Sequence, residues 1–285
     1  MISIVVPAHN ESAVIARTLA PWISGPGSEG LSIVVVCNGC SDETATIARR
    51  FGPSVRVIET AVASKTHALN LGDGSSNGFP RIYIDADILI TVDAIEALAS
   101  RLERGDVLAV APTPDIDLTD CSWPVRLYFG IRSRLPSSRQ GFGGSGVYAL
   151  SEAGHRRFAQ FPDVIADDTY VRLQFKPEER DTLACAKSRV FPARTIPQLI
   201  AVRSRAYAGT FEVTRRFPEL GVNKERNNNR TLIGLFKEPL LWTGLFVYCY
   251  VNIVARCKAM ARSRGEVLVW QRDDTSRRAP PAPSS

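Results

Sequence analysis

Arg81-Ile82-Tyr83-Ile84-Asp85-Ala86-Asp87 is the stretch on which the reading of this chain turns. The apolar run Ile82-Tyr83-Ile84 predicts a short buried strand over Arg81–Ile84. Asp85 and Asp87 then stand at its carboxyl end. In an extended segment alternate side chains point the same way, so the two aspartates can converge on one ligand. A hard divalent cation takes oxygen ligands and keeps sites for water and phosphate, which makes the pair suitable for a metal-diphosphate unit. A lone D-x-D is common on protein surfaces; the strand in front of it makes this one informative.

Outward from there, the first 110 residues alternate short apolar runs with helical patterns. Strands are predicted at 2–6, 31–37, 55–58 and 107–111, and helices at 12–21, 43–51, 65–71 and 93–104. Such alternation implies an α/β fold with a mostly parallel sheet covered on both faces. Ligands of these sheets bind beyond the carboxyl ends of the strands, so Asp42 and the Asp85/Asp87 pair are expected to share one crevice. After residue 112 the alternation stops. A glycine-rich stretch at 140–146 leads into a strand at 147–150. Helices follow at 151–160 and 168–175 and a strand at 183–191. Residues 196–230 combine a helix with a basic, polar loop containing Asn227-Asn228-Asn229. No internal repeat is evident.

Composition bounds the class. The chain has 285 residues, 45% hydrophobic and 22% charged, as in soluble globular proteins with a substantial core. Its net charge of +6 is uneven: residues 1–200 carry 20 Lys/Arg against 22 Asp/Glu, while 201–230 and 256–278 each carry seven against three. Basic charge confined to a late loop and a tail suggests a diphosphate or an anionic membrane surface. No aromatic-basic module accompanies it, which argues against nucleic acid. Of the six cysteines, Cys37 and Cys40 have C-x-x-C spacing, but no second pair and no nearby His complete a zinc site. Met1 leads straight into the first strand, so no signal peptide is expected and a cytoplasmic location follows.

Five stretches in order carry a family resemblance: Val6-Pro7-Ala8-His9-Asn10-Glu11, Val36-Cys37-Asn38-Gly39-Cys40-Ser41-Asp42-Glu43-Thr44, Ile84-Asp85-Ala86-Asp87, Gly143-Gly144-Ser145-Gly146 and Ala166-Asp167-Asp168. Each alone is weak. Together they resemble the family 2 glycosyltransferases of the GT-A fold, inverting and non-processive, over roughly residues 1–230.

The resemblance implies a role for each stretch. Pro7, Ala8, Asn10 and Glu11 would line the nucleotide pocket with Asn38. Asp42 would read the base, a carboxylate accepting from an imide N–H, which uracil and thymine present, guanine offers in similar form and adenine lacks. Lys65 would face the donor phosphates. Asp87, with Asp85 and Ala86, would hold Mn²⁺ or Mg²⁺ and the donor. Gly143, Gly144 and Ser145 would approach the acceptor. Asp168, beside Asp167, would be the general base that inverting transfer requires, its proton affinity raised by its neighbour. Arg203 and Arg205 are the nearest match to a basic loop over the diphosphate, and the Q-x-x-R-W pattern of processive relatives is absent.

Blander readings stand beside these. Asp42 and Asp167-Asp168 are good helix-start acids, Lys65 suits a solvated helix start, and the glycines suit a plain turn. His67, near the family's usual glycine, reads as a packed or exposed histidine.

Residues 239–255 are nearly all apolar and followed by basic residues. At about 17 residues they sit at the lower limit for a membrane span. An amphipathic helix lying on an anionic inner leaflet is favoured, over a helix packed on the protein and over a true span. The chain is divided accordingly into a catalytic unit at 1–230 (nucleotide half 1–110, acceptor half 111–230), an apolar helix and basic tail at 231–278, and a disordered end at 279–285. The expected activity is transfer of a sugar, most readily from a UDP-sugar, to a hydroxyl of a lipid-linked or saccharide acceptor, in cell-envelope or exopolysaccharide synthesis. A sugar-phosphate nucleotidyltransferase and a non-catalytic membrane-associated scaffold of the same fold are the alternatives.

Overall fold

The structure, a computed structural model, describes residues 1–23, 27–139, 141–224 and 229–262. Asn227 and Asn228 of the expected loop, the tail beyond 262 and the stretch 279–285 lie outside the described residues. Among the described residues eight strands form one sheet: β1 (Ile2–Ala8), β2 (Leu31–Asn38), β3 (Val55–Thr60), β4 (Arg81–Ile84), β5 (Leu89–Ile90), β6 (Ala109–Ile116), β7 (Val147–Leu150) and β8 (Arg180–Val190). Their order across the sheet is β3-β2-β1-β4-β7-β6-β8-β5. The helices are α1 (Ile15–Leu19), α2 (Thr44–Arg49), α3 (Lys65–Gly74), α4 (Val92–Glu103), α5 (Trp123–Arg132), α6 (Glu152–His155), α7 (Asp167–Leu173), α8 (Ile196–Arg216), α9 (Asn229–Leu235) and α10 (Trp242–Arg262).

β1 pairs in parallel with both β2 and β4, and β2 with β3. β7 runs antiparallel to β4 and β6, while β6 and β8 are parallel. The chain thus builds outward from β1 to β3, then returns to place β4 on β1's other side. A strand order that reverses in this way opens a crevice at the carboxyl ends of the central strands.

Period-two alternation sorts the central strands into two cores. Ile4, Val6, Ile82, Ile84, Val147 and Ala149 face one layer with α1, α2 and α4. Val5, Tyr83, Tyr148 and Leu150 face the other with Phe161, Tyr170 and Phe175. α4 shows the local logic: Thr91 caps its first turn through the Ala94 N–H, and Ile95, Leu98 and Leu102 fall on one buried stripe. Burying each such side chain is worth roughly 1.5–3 kcal/mol.

Several elements differ from the sequence reading. α1 is shorter than 12–21 because the chain tightens into a 3₁₀ turn at Ala20–Trp22, around Pro21. The helix expected at 151–160 ends after one turn, and Ala159 takes a positive φ of 56°. The strand expected at 107–111 is β6, which continues to Ile116. Arg203 and Arg205 stand on α8, a 21-residue helix, rather than in a loop. Pro197 opens α8, and Leu199, Ile200, Ser204 and Ala208 bury one side of it, a helical spacing that sustains regular structure through the arginines.

α10 packs one side, including Val251 and Ala255, against Val125 and Tyr128 of α5 and Leu199 and Ile200 of α8. The C-terminal helix is therefore joined to the wall of the crevice.

Candidate functional site

The carboxyl ends of β1, β2 and β4 open into a cavity of about 360 Å³. Pro7, His9 and Glu11 come from the β1 end, Asn38 from β2, and Asp85, Ala86 and Asp87 from β4. Gly143, Gly144 and Ser145 enter from the loop before β7, Asp167 and Asp168 from the start of α7, Lys65 from the start of α3, and Arg203 and Arg205 from α8. Residues spread over some 200 positions of sequence thus line one space.

Lys65 is the first residue of α3, and Ser64 caps that helix by accepting from the His67 N–H. A cation at a helix N-terminus opposes the helix dipole, so its charge needs other support. Its Nζ lies 2.7 Å from Asp85 Oδ1 and 3.0 Å from Asp167 Oδ1. Burial pulls the ammonium pKa down, but Asp167 and Asp85 outweigh it and hold it above its ordinary value.

Asp167 is 3% exposed and also accepts from the Tyr148 hydroxyl at 3.3 Å. Its carboxyl is pushed up to about 6 by burial, with Asp168 and Asp85 adding and Lys65 opposing. Asp167 is the deeper of the two acids. Asp168 is half-buried and accepts the Thr169 N–H through Oδ1 at 2.6 Å.

The glycine loop is shaped by contact. Gly146 has φ +64°, its carbonyl accepts the Asp85 N–H at 2.9 Å, and a Cβ there would stand 2.5 Å from Ile88 Cγ1. Only glycine meets both demands. Gly143, at φ +81°, leaves room for Asp168: a Cβ on it would lie 3.5 Å from Asp168 Oδ2.

Three predicted residues stand outside the lining. Ala8 is fully buried, its carbonyl 3.4 Å from Cys40 Sγ. Asn10 turns its Oδ1 toward the Ser41 N–H. Asp42 accepts from the Ser12 N–H at 3.1 Å and the Thr44 N–H at 3.0 Å. Partial burial disfavours its charge, yet the bonds from Thr44 and Ser12 hold the carboxyl below its ordinary value. It closes the turn that precedes α2, whose N-cap position is taken by Glu43 and not by Asp42. The β2 residue that does face the cavity is Asn38, whose carbonyl accepts from His9 Nδ1 at 2.5 Å. His67 makes its ring contact with Thr60 Oγ1 instead.

Sequence reasoning missed the far wall, built by Tyr128, Phe129 and Arg132 of α5, Phe191 and Ala193 after β8, and Leu199 and Val202 of α8. Buried positions at 125, 128 and 131 after an opening Pro124 were the available signal.

A hard cation fits the acids that are present. Among the described residues no group of three or more His, Cys, Asp or Glu could hold a metal ion. Asp85 and Asp87 supply two carboxylates, which suits a cation that takes its other oxygens from water and a diphosphate.

Comparison with known proteins gives the class. Residues 3–156, more than half of the chain, match the family described as Glycosyl transferase family 2, and the chain belongs to that family. The family is one of glycosyltransferases and not of nucleotidyltransferases. A stretch of 94 residues is 33% identical to the probable glycosyltransferase YdaM of Bacillus subtilis (strain 168), covering 30% of this chain and 22% of that protein. The match spans about a fifth of that relative's length. Among solved structures, the mannosyltransferase PcManGT from Pyrobaculum calidifontis, in complex with GDP-Man and Mn²⁺, aligns with TM-score 0.59 at 20% identity over 94% of this chain and 76% of its own. Glucosyl-3-phosphoglycerate synthase from Mycobacterium tuberculosis, in complex with Mn²⁺, UDP-glucose and glycerol 3-phosphate, aligns with TM-score 0.53 at 20% identity over 76% of this chain and 79% of its own. These likenesses establish the GT-A fold.

Proposed function

We propose that the chain moves one sugar, with inversion, from a nucleoside-diphosphate donor to a hydroxyl of a lipid-linked or saccharide acceptor, with Mn²⁺ or Mg²⁺ bound. The observation that carries this reading is the convergence of Lys65, Asp85, Asp87, Asp167 and Asp168 on one cavity at the carboxyl ends of β1, β2 and β4. Asp87 and Asp85 would hold the metal, which when bound neutralises charge on the departing diphosphate. Lys65, fixed by Asp85 and Asp167, keeps a positive charge at the same place. Asp168 accepts the proton of the acceptor hydroxyl as its oxygen bonds to the anomeric carbon and the bond from that carbon to the diphosphate oxygen breaks. Gly143 lets the acceptor approach that carboxylate.

Asn38 takes over base reading from Asp42 in this proposal. Its side chain offers one acceptor and two donors, which matches the imide N–H and carbonyl of uracil or the ring N–H and carbonyl of guanine, so UDP-sugars and GDP-sugars are the donors to try first.

The chain is also proposed to lie on the cytoplasmic membrane surface, in keeping with cell-envelope or exopolysaccharide synthesis. Pro239–Ala261 is long and apolar enough to cross a membrane, and 22% of its most apolar window is buried. Trp242, Phe246, Ile253 and Met260 are exposed at helical spacing along one stripe of α10, at 59%, 72%, 61% and 49%. The opposite side is held by α5 and α8, which supports a helix lying at the interface over one that spans. Exposed Lys237, Arg256 and Lys258 suit anionic headgroups.

A thermal-shift panel of UDP, GDP, ADP and their sugars, with and without Mn²⁺, tests the donor reading, because a ligand that binds the native state raises its stability. Stabilisation by UDP or GDP compounds that needs the metal is expected. Equal response to ADP, or none to any nucleotide, would overturn it.

A further inference from the structure

The cavity's two walls differ in how their charges are matched. On the β4 side, Lys65 is paired with Asp85 and Asp167. On the α5–α8 side, Arg132 and Arg203 line the same cavity, and among the described residues no carboxylate pairs with either guanidinium. Among the described residues the buried Nε of Arg203 has no hydrogen-bond partner, and the guanidinium rests on the Tyr207 ring, 4.9 Å from its centroid. Tyr128 also lines the cavity, is fully buried, and its hydroxyl has no hydrogen-bond partner among the described residues. Buried polar groups are normally satisfied, whereas the Arg203 Nε and the Tyr128 hydroxyl are not, and both arginines are half-buried. Tyr128 stacks on Tyr248 with ring centroids 5.2 Å apart, so α10 fixes this side of the cavity from behind.

The glycine loop ties these groups to the reacting end. A Cβ on Gly143 would stand 3.5 Å from Asp168 Oδ2, and one on Gly144 would stand 3.5 Å from Arg132 Nη2. Asp168 and Arg132 therefore face two consecutive residues of one loop. An acceptor with its hydroxyl at Asp168 presents its neighbouring group to Arg132. Around that group the lining is apolar, with Phe129, Leu199 and Val202.

We infer that Arg132, Arg203 and the Tyr128 hydroxyl form a subsite for a phosphate ester carried by the acceptor. A phosphate dianion takes charge-assisted bonds from both guanidiniums and a third bond from the phenol, and the apolar lining receives the carbon chain of the ester. The subsite rests on the glycosyltransferase reading above and narrows its acceptor to molecules bearing phosphate near the reacting hydroxyl. A lipid phosphate and a water-soluble phosphorylated alcohol share this chemistry.

The test uses the full chain saturated with Mg²⁺ and whichever of UDP or GDP it binds, so that the donor's phosphate positions are filled. Glycerol 3-phosphate, hexyl phosphate, glycerol and hexanol are then titrated calorimetrically. The esters should bind and the alcohols should not. Arg132→Met should weaken the esters by about tenfold or more while nucleotide affinity stays within about twofold. Tyr128→Phe, which removes a hydroxyl that has no hydrogen-bond partner among the described residues, should weaken the esters by a few-fold and leave folding intact. Tighter binding of hexyl phosphate identifies a lipid source, and tighter binding of glycerol 3-phosphate a soluble one. Failure of both esters to bind would overturn the subsite. So would a loss of nucleotide affinity in Arg132→Met as large as the loss of ester affinity, which would give the guanidinium to the donor. If no nucleotide binds at all, the donor reading fails first; ester binding to the nucleotide-free protein, compared in the two variants, then decides the subsite separately.

Discussion

Lys65 and Asp167, each the first residue of its helix, meet across the cavity floor with Nζ 3.0 Å from Oδ1. The contact joins the start of α3, in the first third of the chain, to α7, which carries the candidate base. Asp167 is the more buried partner, with a side chain 4% exposed against 21% for Lys65. Removing the lysine leaves a carboxylate that water cannot reach, and breaking a buried pair from one side is strongly destabilising. Lys65→Met is expected to cost about 2–4 kcal/mol in urea unfolding. Adding Asp167→Asn to it should recover more than about 1 kcal/mol of that loss. Strictly additive effects of the two changes would mean that the pair contributes nothing to the fold.

Asp168 is expected to separate chemistry from donor binding. Its Oδ1 is anchored by the Thr169 N–H, and the amide of Asp168→Asn can still accept that bond. The variant should therefore fold and bind nucleotide as before, while losing transfer by a factor of about 10² or more, the usual worth of a positioned base. Single-turnover transfer and nucleotide titration on the same preparation check this. Full turnover, or loss of donor affinity, would remove Asp168 from the role.

How far the sequence could be read follows from these residues. β1, β2 and β4 are short runs of apolar residues buried on both faces, and such runs announce themselves without tertiary information. Asp85 and Asp87 were placed because they directly follow one. Asp42 is less legible: it stands four residues beyond the strand, and a turn of that length can aim its side chain either way. Here Ser12 and Thr44 turn it back toward α2, and Asn38, the last residue of β2, faces the cavity. Arg203 and Arg205 drew attention as a charged loop, although the buried positions 199, 200, 204 and 208 already carry helical spacing. Arg132 and Tyr128 gave no motif at all, since their position depends on how α5 meets the glycine loop and α10.

Asp167 also makes stability depend on pH in a calculable direction. Its carboxyl titrates at about 6 in the folded chain against roughly 4 when unfolded. The native state therefore holds the proton more tightly, and ionisation works against folding. This contribution favours the native state below about pH 4 and is lost progressively as pH rises to about 6, with no further change above that. Carboxylates remote from Asp167 contribute alike in wild type and Asp167→Asn and cancel in the difference between the two, which leaves Asp167 with its immediate partners. The wild type should lose stability relative to Asp167→Asn as pH is raised through that window. A difference that is flat, or that slopes the other way, would mean that burial does not dominate at Asp167.

The stripe on α10 gives the sharpest test of location. Trp242, Phe246 and Ile253 are each more than half exposed, so Glu at all three positions should leave folding untouched, with a thermal midpoint within about 2 °C of the wild type. Each side chain transferred from water into the interfacial region contributes on the order of 1–3 kcal/mol. The triple variant should therefore lose flotation with vesicles of phosphatidylcholine and phosphatidylglycerol by at least about a hundredfold in partition. Exposed Arg256 and Lys258 should add a salt-sensitive component, visible as weaker flotation on pure phosphatidylcholine and in high salt. If the wild-type chain fails to float with either vesicle and instead sediments as a dimer that the triple variant dissociates, the stripe is covered by a second copy and the membrane placement is wrong.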